Sequence, residues 1–505
     1  MIYLFGDFAL DSDRFELRKS GQLVNAEPQA LQILLFLVEQ RHRLVSREDL
    51  IQTIWQGRAI SDWAVSAGIK SARAALFDTD SSRRYIRTVH GKGFRFIVDV
   101  HSLGDELAVA STIAADGRLL WVMPLENQSG KPADAYFADG VMEDLITDLS
   151  ALPGLRVVSR SASIAATASG DPPAETARHL SASQRLEGSI RRAGDTVRIS
   201  VRLLETAGDS LVWADRLDRT SDSIFALQDE ICTSIANALQ LAIATARNAP
   251  GTRDPTAYDL CLQGRAEYYL YTPANFAKAL SLFEAPTDRD PAYAEAYAYQ
   301  SYCRCSLHVF AWPGADETLD QALALGRKAV ELAPRLALTH GRLGWVLGFL
   351  GNREETIATF EQAVQLDPNN AEAFYAYGET MNRLAMPEKA LPLLEKSYGL
   401  DSFVPPAWSF AKGHSLGLLR RYEEALFHLL PVPERVPGFV PCRVQTTRVL
   451  AEMGRMEEAA AQVKAIRQTA PRYTLAHAKR MFPYPEATER SRLTEALESV
   501  GLVAA

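Results

Sequence analysis

From Pro255 onward the sequence repeats one spacing of small residues, and this repeat limits the fold more than any other feature. Leu343-Gly344, Phe360, Ala363 and Pro368 form one unit. Tyr377-Gly378, Ala390 and Leu394 return about 34 residues later. Trp408, Gly413 and Ala425 mark a further unit, and Ala459, Val463 and Pro471 another. Earlier units end at Pro291 and Pro334, the second with an insertion near Val309 to Asp316. The small residues let paired helices approach closely, and each proline ends a second helix. A helix pair cannot bury its apolar face alone, so the pairs must stack, about six of them over residues 254–475. Such a stack needs a cap, expected from a helix over Glu486 to Val500 within residues 476–505.

The chain has 505 residues, enough for three or so domains at roughly 150 residues each. Its net charge of -8 excludes a chain that is basic throughout. Five cysteines, Cys232, Cys261, Cys303, Cys305 and Cys442, show no metal-ligand spacing and read as reduced core thiols of a cytosolic protein. No metal and no cofactor are expected. No apolar run approaches the roughly 18 residues of a membrane helix; the stretch from Leu31 to Gln40 is too short and reads as a buried helix. The N-terminus carries no signal-peptide pattern. The expected location is cytoplasmic.

Against this acidic background Ile60 to Val98 is basic. Lys70, Arg73, Arg83, Arg84, Arg87, Lys92 and Arg95 stand against Asp62, Asp78 and Asp80. Val65, Ile69, Ala72 and Leu76 recur at i, i+4, i+7 and i+11, one buried helix face. Ser66, Lys70 and Arg73 share a polar, basic face, and Ser61 or Asp62 suits the N-cap. Arg83, Arg84 and Arg87 then lead into His90-Gly91-Lys92-Gly93, a hairpin tip. A basic helix face beside a basic hairpin fits a duplex, with the helix in the major groove. Upstream, Ile2 to Val24 alternates as a small antiparallel sheet. Pro28 opens a helix with a stripe at Leu31, Leu34, Leu35 and Val38. Ser46 with Asp49 makes a capping box for the next, which turns Leu50, Ile54 and Trp55 inward. Sheet, three helices and a hairpin wing describe a winged helix-turn-helix.

The runs SREDLIQTIW, ISDWAVSAGIKSARAAL and YIRTVHGKGFRF resemble the OmpR/PhoB-type DNA-binding domain, in the variant of ToxR-, CadC- and HilA-like regulators, over residues 1–100. The resemblance implies a recognition helix at 61–77 in the major groove and a wing at 88–95 in the minor groove. By position it implies DNA contacts from Ser66, Lys70, Ser71, Arg73, Arg87, Thr88, His90 and Lys92, with Thr88 on a phosphate and His90 at the wing tip. Two departures stand out: Ala72 where Leu is usual, and Gly68 inside the recognition helix, where glycine costs about 1 kcal/mol relative to alanine. His90, often arginine in relatives, is mostly neutral at pH 7. The chain opens on this unit, so phosphorelay control through a fused receiver is not expected. The family implies a possible dimer on double-stranded DNA, with RNA polymerase a further candidate partner.

Residues 101–117, rich in Ala, Ser, Asp and Gly, read as a linker. Beyond it, strands are expected at Leu119, Leu155–Val158, Gln184–Arg191, Val197–Glu205 and Leu211–Leu217. Helices are expected at Ala138–Leu152, around Glu175–Leu180 and at Ile224–Ala244, with 161–174 left loose, giving an α/β domain over 118–247. The runs MPLENQSGKPADAYFADGVMEDLITDLSALPGLRVVSRSAS and LEGSIRRAGDTVRISVRLLE resemble a TolB-N-terminal-like domain. Asp139, Glu143 and Asp144 read as first-turn acids favoured by the helix dipole rather than a metal-binding trio. No phosphate-binding loop and no nucleophile elbow occur, so no enzyme is expected. The repeats from 254 resemble tetratricopeptide repeats, which implies a protein or peptide in the concave groove. There Arg342, Asn382 and Arg383 are candidate contacts, read more simply as a solvated helix face.

The expected fold is thus multidomain: an α+β winged helix, an α/β middle domain and an all-α superhelix. The expected function is a one-component, sequence-specific transcriptional regulator. The alternative is a TPR interaction scaffold with weak or vestigial DNA binding, favoured by Gly68 and Ala72.

Overall fold

The computed structural model describes residues 2–502 apart from 6–7, 13–14, 20–21, 25, 56–61, 79–84, 90–91, 99–100, 103–117, 153, 169, 195, 221–223, 240, 242–250, 271, 311–318 and 401–405. The N-terminal unit opens with β1 (Ile2–Phe5), β2 (Phe8–Asp11), β3 (Glu16–Lys19) and β4 (Gln22–Leu23). They pair antiparallel in the order β4-β3-β2-β1, and β7 (His101–Ser102) joins the far side of β1. Residues 101–102, expected in the linker, therefore close the sheet. Three helices follow: α1 (Pro28–Glu39), α2 (Arg47–Ile54) and α3 (Asp62–Ala75). A hairpin of β5 (Ile86–Val89) and β6 (Gly93–Phe96) completes the unit. Pro28 sits in the first turn of α1, and Ser46 with Asp49 forms both bonds of the capping box on α2. The cap expected from Ser61 or Asp62 lies outside the described side chains. Two of the expected cations, Arg83 and Arg84, and the 103–117 part of the linker also lie outside the described residues.

The middle unit is a six-stranded sheet. Its path is β10 (Leu155–Val157), β8 (Arg118–Val122), β11 (Gln184–Ala193), β12 (Thr196–Glu205) and β13 (Ser210–Thr220), with β9 (Glu126–Asn127) beside β11. The first three pair parallel and the last three antiparallel. Strand alternation divides the side chains between two layers. Leu120, Val122, Val197, Ile199 and Val201 pack under α4 (Ala135–Ser150) and α7 (Ile224–Ala238), while Trp121 faces α5 (Arg160–Ala168) and α6 (Pro173–His179). Helix α5 falls in the stretch expected to be loose; its Ala/Ser composition hid it, and its Ala162 is fully buried against Trp121 and Val158.

The C-terminal half stacks helix pairs: α8 (Pro255–Tyr269) with α9 (Pro273–Arg289), α10 (Ala294–Val309) with α11 (Leu319–Leu332), α12 (Ala337–Leu350) with α13 (Arg353–Leu366) and α14 (Ala371–Arg383) with α15 (Pro387–Leu400). After these come α16 (Pro406–Leu418) with α17 (Tyr422–Leu429), the short α18 (Val432–Arg435), then α19 (Val440–Glu452) with α20 (Met456–Thr469). One glycine position in the first helix explains the close pairing. A Cβ on Gly264, Gly344, Gly378 or Gly413 would come within 2.6–2.7 Å of Phe283, Phe360, Leu394 or Leu429 on the second helix. Within the expected insertion, residues 311–316 lie outside the described residues.

Three expectations change in the interior. Helix α4 starts at Ala135, so Asp139, Glu143 and Asp144 lie beyond its first turn, where the dipole acts. Glu143 and Asp144 face the first repeat helix instead, and Asp139 faces α5. Arg265 of α8 reaches Glu143 (2.7 Å) and Asp144 (2.6 Å), Tyr269 donates to Glu143 (2.6 Å), and Arg160 pairs with Asp139. Gly140 lets α8 come close, since a Cβ there would meet Leu262 at 2.6 Å. Burial by itself raises the Glu143 carboxyl, but Arg265 and Arg160 outweigh it and hold it below the usual carboxylate value.

Arg342, Asn382 and Arg383, read as a solvated face, are buried instead. Arg342 lies over the Tyr302 ring (4.6 Å) and Arg383 over the Trp345 ring (4.3 Å), cation–π contacts of desolvated guanidiniums. Asn382 donates to the Ala411 carbonyl (2.8 Å). The expected end cap is also more than a cap. Helix α22 (Ala487–Ser499) packs on α19, but α21 (Leu475–Met481) and the turn after it run back along the array, where Arg480 donates to the His308 carbonyl (3.2 Å).

Candidate nucleic-acid interface

The interface begins with the packing of α3. Val65, Ile69, Ala72 and Leu76 are all buried to within 1% of full burial, as the spacing requires. Gly68 lies on the same inward side: a Cβ there would meet Ile33 of α1 at 2.7 Å and Trp55 at 3.5 Å. The glycine is therefore a close-approach residue, and its cost in helix propensity is offset by the α1–α3 contact. Ala72 is fully buried and belongs to the core. The opposite face is presented outward, with Ser66 and Lys70 exposed and Ser71 half-buried.

At its C-terminus α3 is tied to the wing. Phe77 takes a left-handed conformation (φ 54°), and the Asp78 N–H returns to the Arg73 carbonyl (2.9 Å). The buried Asp78 carboxylate accepts from the Tyr85 N–H (3.2 Å) and the Ile86 N–H (3.3 Å). Arg73 donates from Nη2 to the Ile86 carbonyl (2.9 Å) and to Thr88 Oγ1 (2.9 Å). These two positions, both expected on DNA, are thus bonded to each other and fix the angle between helix and wing.

The other wing strand is anchored from behind. Phe94 exchanges backbone bonds of 2.8 and 2.9 Å with Val45, ahead of α2. Gly93 sits at the crossing with φ 137°, where a Cβ would lie 2.1 Å from the Val45 carbonyl oxygen. Only glycine fits there. Phe94 and Phe96 point into the core, so Arg95 between them points out. Arg87 lies directly opposite Arg95 in the register, and both are exposed.

The result is a rigid surface of cations. Lys70 on α3 and Arg87, Lys92 and Arg95 on the wing are exposed, and none has an ion pair among the described residues. Like charges directly opposite in a hairpin destabilise it by themselves. An array of this kind suits phosphates spaced along a duplex. His90 and Gly91, at the expected wing tip, lie outside the described residues. Arg95, not counted among the expected DNA contacts, joins this exposed face, and its alternation between Phe94 and Phe96 marks it as outward in the sequence. Among the described residues no group of His, Cys, Asp or Glu is placed to hold a metal ion, and no helix is long and apolar enough to cross a membrane.

Comparison with known proteins agrees with the fold of this domain and of the repeats. The family described as "Transcriptional regulatory protein, C terminal" matches residues 21–96, and tetratricopeptide-repeat families match 337–370 and 359–391. Over 239 residues the chain is 33% identical to the "Putative adenylate cyclase 3" of Rhizobium meliloti, covering 46% of this chain and 41% of that protein. It is 22% identical over 412 residues to the transcriptional regulator HilA of Salmonella typhi, 79% of this chain and 70% of that one. It is 25% identical over 111 residues to the transcriptional activator CadC of Escherichia coli, 21% of this chain and 22% of that one. The chain thus spans less than half of the first of these relatives and about two thirds of the second. Its N-terminal domain is an OmpR/PhoB-type winged helix homologous to those of HilA and CadC, and its C-terminal half carries tetratricopeptide repeats.

Proposed function

We propose that this chain is a cytoplasmic, sequence-specific transcriptional regulator that binds double-stranded DNA through α3 and the wing. Helix α3 enters the major groove with Lys70 toward base edges, guanine being the partner its chemistry fits. The wing lies along the adjacent minor groove, with Arg87, Lys92 and Arg95 on phosphates and His90 at its tip. Ser66 and Ser71 contact the backbone beside Lys70. Arg73 and Thr88 serve the interface through each other, by holding the helix–wing angle. The observation that carries this reading is the set of four exposed cations with no ion pair among the described residues, on elements anchored by Asp78 and Gly93. Gly68 and Ala72 are core positions, so they no longer favour a scaffold with vestigial DNA binding.

The rest of the proposal concerns control. Residues 1–100 form the DNA reader and 118–247 a TolB-N-terminal-like input domain. The repeats over 254–475 and the segment 476–505 form a body that receives a protein partner. The regulator acts on promoters as a pair on DNA and contacts RNA polymerase. It turns over no substrate; cyclic AMP formed from ATP by the purified chain would overturn that part. Chromatin immunoprecipitation of the tagged chain tests the main reading. Discrete promoter peaks that vanish with Lys70→Ala, at unchanged protein level, support it. Peaks that persist with that variant would remove α3 as the reader.

A further inference from the structure

The inner face of the last repeats is already filled. After α21 the chain leaves helix at Phe482 and runs through Pro483, Tyr484 and Pro485 before α22 begins at Ala487. Phe482 and Tyr484 are each 1% exposed. The Tyr484 hydroxyl meets three groups of the array at once: His414 Nε2 (2.7 Å), Gln445 Nε2 (3.0 Å) and Arg448 Nη1 (3.1 Å). The Phe482 ring stands edge-on to His414 at 5.2 Å. Two acids flank the tyrosine: Glu486 pairs with Arg353, and Glu489 pairs with Arg448.

The manner of this seating is that of a bound peptide. Among the described residues, no backbone–backbone bond joins 475–502 to any repeat helix; those recorded for the segment are internal or reach back only to Thr474. The two prolines have no N–H to donate and stiffen the stretch in advance. Within the segment, residues 482–489 meet the array through side chains, a phenol, a phenyl ring and two carboxylates, while Leu475, Met481, Leu493 and Leu497 are buried on either side and Arg492 pairs with Glu452. Peptide grooves recognise their ligands in this way, by anchors at fixed spacing on a low-entropy backbone.

We propose that the inner surface formed by His414, Gln445 and Arg448 is a docking site for a tyrosine-bearing acidic segment of a partner protein, occupied in this structure by the chain's own residues 482–489. The partner presents a buried phenol with a carboxylate a few residues on, and it enters by displacing the resident segment. This rests on reading the repeats as a protein-binding body, and it is independent of the DNA reader.

The test uses the full-length chain and, as probe, a fluorescein-labelled peptide with the sequence of residues 479–493. Phe482→Ala with Tyr484→Ala loosens the resident segment. Fluorescence anisotropy is expected to show at least tenfold tighter peptide binding by this variant than by the unaltered chain, lost when Arg448→Met is added. A variant that keeps its helical circular dichroism and cooperative unfolding, yet binds the peptide no better, overturns the proposal. Hydrogen exchange on the unaltered chain decides the matter even where the variant does not fold. Amides of 475–493 are expected to exchange at least tenfold faster than those of α19; equal rates in the two would make the segment a fixed part of the core. DNA binding is expected to be the same for all these chains, so failure here leaves the DNA reading standing.

Discussion

Arg87 and Arg95 face each other across the wing with no ion pair among the described residues, whereas Arg265 and Arg448 each hold two carboxylates inside the molecule. The residue type is the same, and the surroundings give it opposite uses. A desolvated guanidinium with paired acids has its charge neutralised internally and serves cohesion. An exposed one, fixed on a rigid strand without a counter-ion, keeps its attraction for an external anion. Arg73 lies between the two: it stands on the recognition helix, yet bonds Ile86 and Thr88. Charge on the outer face of a helix is therefore not enough to assign a DNA contact; the partner of each cation must be known.

The largest test of this contrast is Arg265→Met. Taking the guanidinium from the partly buried Glu143 and Asp144, which keep bonds from Tyr269 and Tyr258, is expected to cost about 1–3 kcal/mol in urea unfolding of the repeat array. Arg87→Met should move the same measurement by no more than about 0.5 kcal/mol. Similar values for the two would end the distinction. Next is Gly93→Ala, expected to destabilise the N-terminal domain by roughly 2–3 kcal/mol, because its Cβ would collide with the Val45 carbonyl. Chemical denaturation followed by a probe in that domain measures it. Third, Lys70→Ala is expected to lose about 1–3 kcal/mol of discrimination between a bound promoter and random duplex, read from competition titrations. Lys70 makes the cleaner test, since Arg73→Ala would also release the wing.

A pH titration sharpens the buried side. The Glu143 carboxyl is held below its usual value of 4.5 by Arg265 and Arg160, against the opposing effect of burial. A depressed carboxyl stabilises the fold at pH above its unfolded value, and that stability is lost as pH falls through the folded value. The contribution of Glu143 to the seam between α4 and α8 is therefore expected to fade only below about pH 4.5, with Glu143→Gln removing this part of the dependence. A loosening near neutrality that Glu143→Gln abolishes would contradict the assignment. The smallest effect is Arg95→Thr. Relief of the cross-strand repulsion is expected to raise stability by a few tenths of a kcal/mol, while weakening DNA binding. A loss of stability would mean that Arg95 is a structural residue.

Local signals carried the reading of the sequence a long way. The four-residue face of α3, the Ser46–Asp49 box, the proline at α1 and the repeat spacing each depend on neighbours within a few turns, and each appears where expected. The misread features depend on distant partners. Glu143 and Asp144 meet Arg265 more than a hundred positions away. Arg342 and Arg383 carry polar side chains, and only the stacking of Tyr302 and Trp345 shows that they are buried. One signal was available and unused. The residue after the pairing glycine is large or polar in Arg265, Trp345, Glu379 and His414, and all four face inward. Such a column marks a buried face of polar and aromatic groups, whose partners come from other elements, as Glu143 and Asp144 do for Arg265.

The central claim is that the exposed cations of α3 and the wing form the DNA surface. Its most direct test is the salt dependence of binding to a random-sequence duplex, measured for the full chain and for the triple variant Arg87→Ala, Lys92→Ala, Arg95→Ala, the three cations assigned to phosphates. If each cation meets one phosphate, the slope of log K against log salt should fall in magnitude by about 2.7 for the variant, with its thermal unfolding unchanged. An unchanged slope in a folded variant would place the DNA elsewhere on the molecule.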